Sequence, residues 1–378
     1  MNTTYYPILK AKDAEFKALR EARSVVTENI LPLFELPIFN PALKKYKDDP
    51  HAKATYLSEI SRKIGELRPG MQTMVDSYHW KDPGEKVESG EHHMSYIFNA
   101  LTSQGVKLVP VVGYDRWDDE EYRLGLKSIA RVHTGRFCIR LERFAFDDAS
   151  DPDHLHERLS EILNFLEIDP EKCHVILDLE DLSSMRADEI LIKFNALFVQ
   201  VAKYFFDTYS IAGCSLPSSI DKVIKNQDSS GTVLRREMKV WKYAREKYPD
   251  SQIFFGDYGV RGPSTGETGY GNTNAKIRYT IDDEYFILRG HVIRKPVGGY
   301  QHCDLADALV ASRHYLTPGF SWGDREIERC AARAFGGGAT RWITIDTSHH
   351  LAYVTAEIAE YERIRIAATV PSKERETS

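Results

Sequence analysis

Residues 136–143 read RFCIRLER and residues 174–181 read HVILDLED. Alternate positions are apolar in both: Phe137, Ile139 and Leu141 in the first, Val175, Leu177 and Leu179 in the second. A strand repeats every two residues, so Arg140, Glu142, Asp178 and Glu180 share the opposite faces. Strands covered by helices bury both faces, and a charged residue on the inner face then needs a partner or a task. This pattern predicts strands of a closed barrel with charge at one end.

Six more short apolar runs continue the pattern at residues 6–10, 30–35, 71–78, 107–113, 209–215 and 252–258. Between them, residues 14–22, 56–67, 155–166 and 190–205 carry apolar side chains at helical spacing. Asp13, Asp153 and Asp188 stand at helix starts, and Gly70, Gly105 and Gly135 at stops. Strands alternating with helices pair in parallel through right-handed crossovers, and eight such units predict an α/β fold of the (β/α)8 TIM type. An open doubly wound sheet is the alternative.

The predicted organisation is core barrel units over residues 1–258, a mobile Gly-rich loop over 259–276, a hairpin and helices over 277–366 that complete or cap the barrel, and a disordered tail over 367–378. The hairpin strands are read at 276–281 and 285–290, with helices near 303–315, 324–335 and 350–365 and a strand at 341–345.

The formal net charge is -6, which offers no global basic footprint for nucleic acid. Cys138, Cys173, Cys214, Cys303 and Cys330 are scattered and form no CxxC pair, as expected of a protein in a reducing compartment. No apolar run approaches the ~20 residues of a membrane span and no signal peptide is read, so the cytoplasm is the expected location. HExxH, GxxxxGK[ST] and a strand-to-helix GxGxxG are missing, which disfavours zincin, P-loop and Rossmann chemistry. The neighbours in His92-His93 and His349-His350 point to different faces and do not read as metal pairs.

Barrel active sites are built at the C-terminal ends of strands. Lys10, Glu35, Asp76 and Asp257 fall there, and with Arg140, Glu142, Asp178 and Glu180 they predict a mouth of mixed charge. Glu35, Glu142, Asp178 and Asp257 are the candidate catalytic acids, bases or ligands of a divalent cation. Lys10, Arg140 and Arg289 are candidate anion binders, joined by Tyr258, Trp322 and His349 as ligand contacts. Tyr270, Tyr279, Tyr285 and Trp342, interleaved with Arg261, Arg278, His291 and Arg294, read either as stacking surfaces over the mouth or as packing of the hairpin. The same charges could instead form a buried ion-pair network that closes the barrel without a ligand.

The opening YYPILKAKDAEFKALREA, then ILPLFELP, FFGDYGV, IRYTIDDEYFILRGH, FSWGDREI and TRWITIDTSHHLAYV, resembles the Beta protein family of phages and bacterial mobile elements. The resemblance implies a role in phage biology or antiphage defence and carries no settled reaction. Lys10, Glu35, Asp257, Tyr258, Tyr279, Arg289, Gly290, Trp322, Gly323, Asp324, His349 and His350 lie in the shared segments. The expected function is a hydrolase-like barrel acting on or sensing a phosphorylated, nucleotide or nucleic-acid ligand at its mouth. The alternatives are a non-catalytic module binding a partner protein, which could be encoded nearby, and a carbohydrate-active barrel.

Overall fold

All eight runs read as barrel strands close into one parallel barrel in the computed structural model, which describes residues 4–67, 70–263, 274–292 and 300–369. The strands are β1 (Tyr5–Lys10), β2 (Leu33–Glu35), β3 (Gln72–Asp76), β4 (Lys107–Gly113), β5 (Phe137–Leu141), β6 (Cys173–Asp181), β7 (Thr208–Cys214) and, after a strand outside the barrel, β9 (Ile253–Asp257). Their order is β1-β2-β3-β4-β5-β6-β7-β9, and β9 pairs back onto β1. β2 is shorter than read because Pro32 has no N–H to give the ladder; Ile30 makes only an isolated bridge to Tyr5.

The first helices are α1 (Asp13–Glu21), α2 (Ser24–Thr27), α3 (Ala52–Gly65), α4 (His93–Ser103), α5 (Glu120–Ala130) and α6 (Arg143–Asp148). They are followed by α7 (Pro152–Leu166), α8 (Ala187–Val201) and α9 (Arg236–Lys247). Outward-facing strand residues such as Phe34, Val75, Ile139, Leu177 and Phe255 pack with these helices into one continuous apolar layer. Ile8, Leu33, Met74, Val109, Cys138 and Ile176 fill the barrel itself. Polar side chains cap that inner column at both ends.

A three-stranded antiparallel sheet stands beside the barrel in the order β10-β11-β8, with β8 at Ser229–Leu234, β10 at Asn274–Ile281 and β11 at Glu284–Val292. The hairpin was legible; β8 was not, because SSGTVL lacks a regular apolar period. Ile277, Tyr279 and Ile281 face α10 (Gln301–Val310), α11 (Trp322–Ala331) and α12 (Ala339–Thr369) across a third apolar cluster. Residues 264–273, the centre of the stretch read as a mobile loop, lie outside the described residues, and its last residues open β10. Of the stretch read as a tail, 367–369 continue α12 and the rest lies outside the described residues.

Residues 341–345, read as a strand, belong to α12. Their β-branched run mimics a strand. The helix is enclosed on several sides there, with Trp342, Thr344, Ile345 and Asp346 all buried, so it shows no polar face and no helical period.

α12 is pinned by the two histidines at 349 and 350, both fully buried. His349 Nδ1 lies 3.0 Å from Asp324 Oδ2 and its Nε2 2.9 Å from the Thr280 carbonyl, while its ring stacks on Tyr279. His350 Nε2 lies 2.9 Å from Asp257 Oδ2, and its Nδ1 2.7 Å from Thr280 Oγ1. Tyr5 donates to Asp257 Oδ1 at 2.6 Å. Asp257 thus shares the outer face of β9 with Ile253 and Phe255, turned away from the barrel interior.

Burial alone would raise the Asp257 carboxyl, but His350 and Tyr5 outweigh it and hold it below its ordinary value. A depressed carboxyl contributes stability above its unfolded pKa of about 3.9 that is lost as the pH falls through the folded value. Asp257→Ala should therefore lower stability by about 3 kcal/mol, the scale of a buried pair losing one partner. Urea midpoints measured at pH 7 and pH 3 check this, and the deficit should shrink at the lower pH.

Candidate functional site

The parity of each barrel strand decides which polar groups meet at the mouth. On the inner faces Lys10, Glu35, Asp76, Arg140 and Asp178 stand at the C-terminal ends of β1, β2, β3, β5 and β6, and Tyr258 follows β9. Gly259, at φ 59°, lets the chain turn away directly after Tyr258.

Arg140 is the centre, with a side chain fully buried. Its Nε and Nη2 donate to Asp178 Oδ2 at 2.8 and 2.6 Å, Nη1 donates to Asp76 Oδ2 at 2.8 Å, and Nη2 reaches Glu35 Oε1 at 2.8 Å. Nη2 also donates to the Tyr258 hydroxyl at 2.7 Å, which itself donates to Asp178 Oδ2 at 2.5 Å. The Tyr78 ring lies over this guanidinium at 4.2 Å, and its hydroxyl donates to Glu180 Oε1 at 2.6 Å. Glu180 occupies a bulge of β6 with φ 54°, a left-handed conformation that a non-glycine residue adopts only when its surroundings enforce it. Asp178 Oδ1 accepts the Glu180 N–H at 3.0 Å and helps hold that bulge.

A second arginine joins from the turn after β4. Arg116 donates to Asp76 Oδ1 at 2.6 Å and to Glu142 Oε1 at 2.9 Å. Sequence periodicity missed Arg116 because it sits in a turn; its place three residues beyond a strand end was the available signal.

The protonation states follow from burial against charge. For Glu35, burial raises the carboxyl, but Arg140 and His79 overcome it and bring it down to about 2. Asp76 is likewise held below its ordinary value by Arg116 and Arg140, against its burial. Glu142 goes the other way, up to about 8, through burial assisted by Asp115 and Asp76. Its contact with Arg116 suits a carboxylic acid accepting through its carbonyl oxygen. Burial, with Asp178 nearby, also raises Glu180.

Four of the sequence candidates take other places, Asp257 among them, which faces outward onto His350 and Tyr5 instead of the mouth, and the pairing changes what Arg140 can do. Arg140 has no exposed surface for an anion. Arg289 donates to the Ile224 and Lys225 carbonyls at 2.6 and 2.7 Å, Trp322 lies 5.3 Å from Lys17, and His349 belongs to the α12 anchor. Tyr279, Tyr285 and Trp342 are buried in packing and offer no stacking surface, while Tyr270 and Arg294 lie outside the described residues. Of the carboxylates considered for a divalent cation, Glu35 and Asp178 meet Arg140, Glu142 meets Arg116 and Asp257 meets His350. Among the described residues no group of three His, Cys, Asp or Glu side chains could hold a metal ion.

Toward solvent the arrangement is less closed. His79 Nε2 lies 2.7 Å from Glu35 Oε2 and 3.2 Å from Lys10 Nζ, and about a fifth of the His79 side chain is exposed. Burial lowers Lys10, with Arg261 and Lys12 adding to the effect against Glu35. Arg261, paired with Glu15 at 3.1 Å, also acts on Lys276 of the neighbouring sheet. Lys276 is brought down to about 8 by burial and by Arg278, and Arg278 donates to Asp346 Oδ2 at 2.9 Å. Lys10 and Lys276 are thus both lowered by neighbouring arginines, and these arginines are themselves paired with Glu15 and Asp346.

Fold and site together define a (β/α)8 barrel whose mouth is closed by an arginine–carboxylate cluster with a histidine above it. The chain belongs to the Beta protein family, whose model matches residues 5–356. Among curated proteins no relative matches the chain. No helix among the described residues is long and apolar enough to cross a membrane.

Between about pH 4.5 and 8 the folded chain keeps a proton on Glu142 that the unfolded chain has released, so this group lowers stability as the pH rises through that window. Glu142→Gln removes the effect. Its melting temperature should match wild type near pH 5 and exceed it at pH 8, as followed by circular dichroism across that range.

Proposed function

We propose that the mouth is an acid–base site acting on a phosphorylated small molecule or nucleotide, in the phage or antiphage setting that the family resemblance implies. The observation that carries this reading is the single His79 nitrogen shared by Lys10 and Glu35. Glu35 needs an N–H at Nε2, whereas a protonated Lys10 needs a lone pair there. One protonation state cannot serve both contacts. Burial lowers Lys10, which eases the loss of its proton to a neighbour in this group of three.

Glu35 orients His79, and Lys10 and His79 exchange protons with the ligand. The inner cluster sets the carboxylates of Glu35, Asp76 and Asp178 against Arg140 and Arg116, so an anion finds no welcome deep in the barrel. Lys276, flanked by Arg278 and Arg261, is its natural contact: burial and these two cations lower it, and a bound phosphate relieves that repulsion. A glycosidase reading loses support, since Glu35 and Asp178 are both spent on Arg140.

His79→Ala and Lys10→Met should each reduce turnover of a nucleotide or sugar phosphate by about 100-fold or more, the usual scale of general acid–base catalysis. Both should leave the melting temperature within a few degrees, because neither residue joins the Arg140 cluster directly. Lys276→Met should weaken binding with little change in kcat. Assays of phosphate release from a panel of nucleoside and sugar phosphates decide the matter; binding without turnover by the wild type would favour a sensor over an enzyme.

A further inference from the structure

A cavity of about 420 Å³ lies beside the mouth. Its walls come from the loops that follow β1 and β2, from α3 and from the start of α12, so it adjoins the strand ends that carry Lys10 and Glu35. Its volume falls within the range of about 300 to 1,000 Å³ usual for small-molecule sites.

Ile38, Leu43, Ile343, Tyr46 and Tyr56 bring large side chains to this lining. Ile38 and Leu43 are 38 % and 46 % exposed, and two such side chains on one cavity are apolar surface that a ligand can cover. Tyr46 and Tyr56 meet edge-on at 5.9 Å. Their hydroxyls are already engaged, the first donating to Glu59 at 3.0 Å and the second to the Pro37 carbonyl at 2.6 Å. What the tyrosines leave for an occupant is ring surface, which suits a flat aromatic group better than a polyhydroxylated one.

Ions in the same lining answer one another. Lys45 pairs with Glu59, Lys63 meets Asp13 at 2.7 Å, and Arg261 meets Glu15 of α1 at 3.1 Å. The part of a ligand held here is therefore uncharged, and its anionic part belongs outside. Arg261 shows where: it lines the cavity and also acts on both Lys10 and Lys276, so the cavity and the proposed phosphate contact share one side chain.

We propose that this cavity receives the uncharged ring of the ligand whose phosphate meets Lys276, an inference that rests on the mouth being a phosphate site. The ligand is then a phosphate ester of an aromatic or nucleoside group, and a simple sugar phosphate leaves the cavity unfilled. Apolar contact in the cavity sets selectivity, and the groups at the mouth act on the phosphate end.

Titration calorimetry of the full chain with adenosine monophosphate, phenyl phosphate and ribose phosphate tests the assignment. At least one of the first two should bind more tightly than ribose phosphate by about tenfold or more, the scale of apolar discrimination in a pocket. Leu43→Asp, at an exposed position, should remove that margin while ribose phosphate binds as before. Lys276→Met should weaken all three. Equal binding of the ring-bearing and ring-free phosphates by the wild type overturns the ring pocket and leaves the phosphate site standing. A wild type that binds none of the three overturns both. A margin unchanged in Leu43→Asp also overturns the pocket; should that variant fail to fold, Ile38→Asp in the same lining replaces it.

Discussion

A guanidinium with no exposed surface has to be surrounded by acceptors, and that requirement organises the mouth of this barrel. Removing a single ion from water costs several kcal/mol after relaxation, so Arg140 is tolerable only with its fork fully occupied. The occupants come from strands on several sides: Glu35 from β2, Asp76 from β3, Asp178 from β6 and Tyr258 beyond β9. A one-residue slip of any of these strands would turn its acceptor to the outer, apolar layer. The network therefore specifies barrel register more than it adds stability, and a lysine in its place could not present the same planar set of donors.

Once that core is satisfied, the groups with unsatisfied or competing demands lie just beyond it. Tyr78 covers the guanidinium and separates it from the mouth. Above it, His79 must answer both Lys10 and Glu35, and to one side Lys276 stands among cations. The neutralised floor fixes Glu35 and Glu35 in turn orients His79, the order that the proposed proton exchange would need. The reading of these charges as an ion-pair network holds at the Arg140 floor, and the proposed site lies above it.

The sequence shows the barrel clearly because its inner and outer faces differ in chemistry along β5 and β6, where Arg140 and Asp178 interrupt apolar runs. Parity was harder to read in FFGDY, where both faces carry an aromatic and a polar residue. Only the packing of Phe255 in the outer layer shows that Asp257 points outward and Tyr258 inward. His79 and Arg116 lie in turns, where no period marks them. The pairing of Asp324 with His349 joins residues 25 apart through two helices, a relation local pattern does not encode. In α12 the β-branched stretch obeys strand propensity, and burial on several sides overrode it.

The two ends of the barrel answer the same physical problem differently. Each inner column ends in polar side chains that the apolar middle cannot satisfy. At the mouth, ions of opposite sign satisfy one another, so little is left over for an outside group to complete except at His79 and the flanking cations. At the base, Tyr6, Thr208 and His174 share hydroxyl and imidazole contacts that leave one nitrogen over. Neutral hydrogen bonds are directional and countable, whereas a charged cluster is matched mainly by sign. Because His174 and Asp178 lie on the same face of β6, with only Ile176 between them on that face, any shift of the strand at one end is felt at the other.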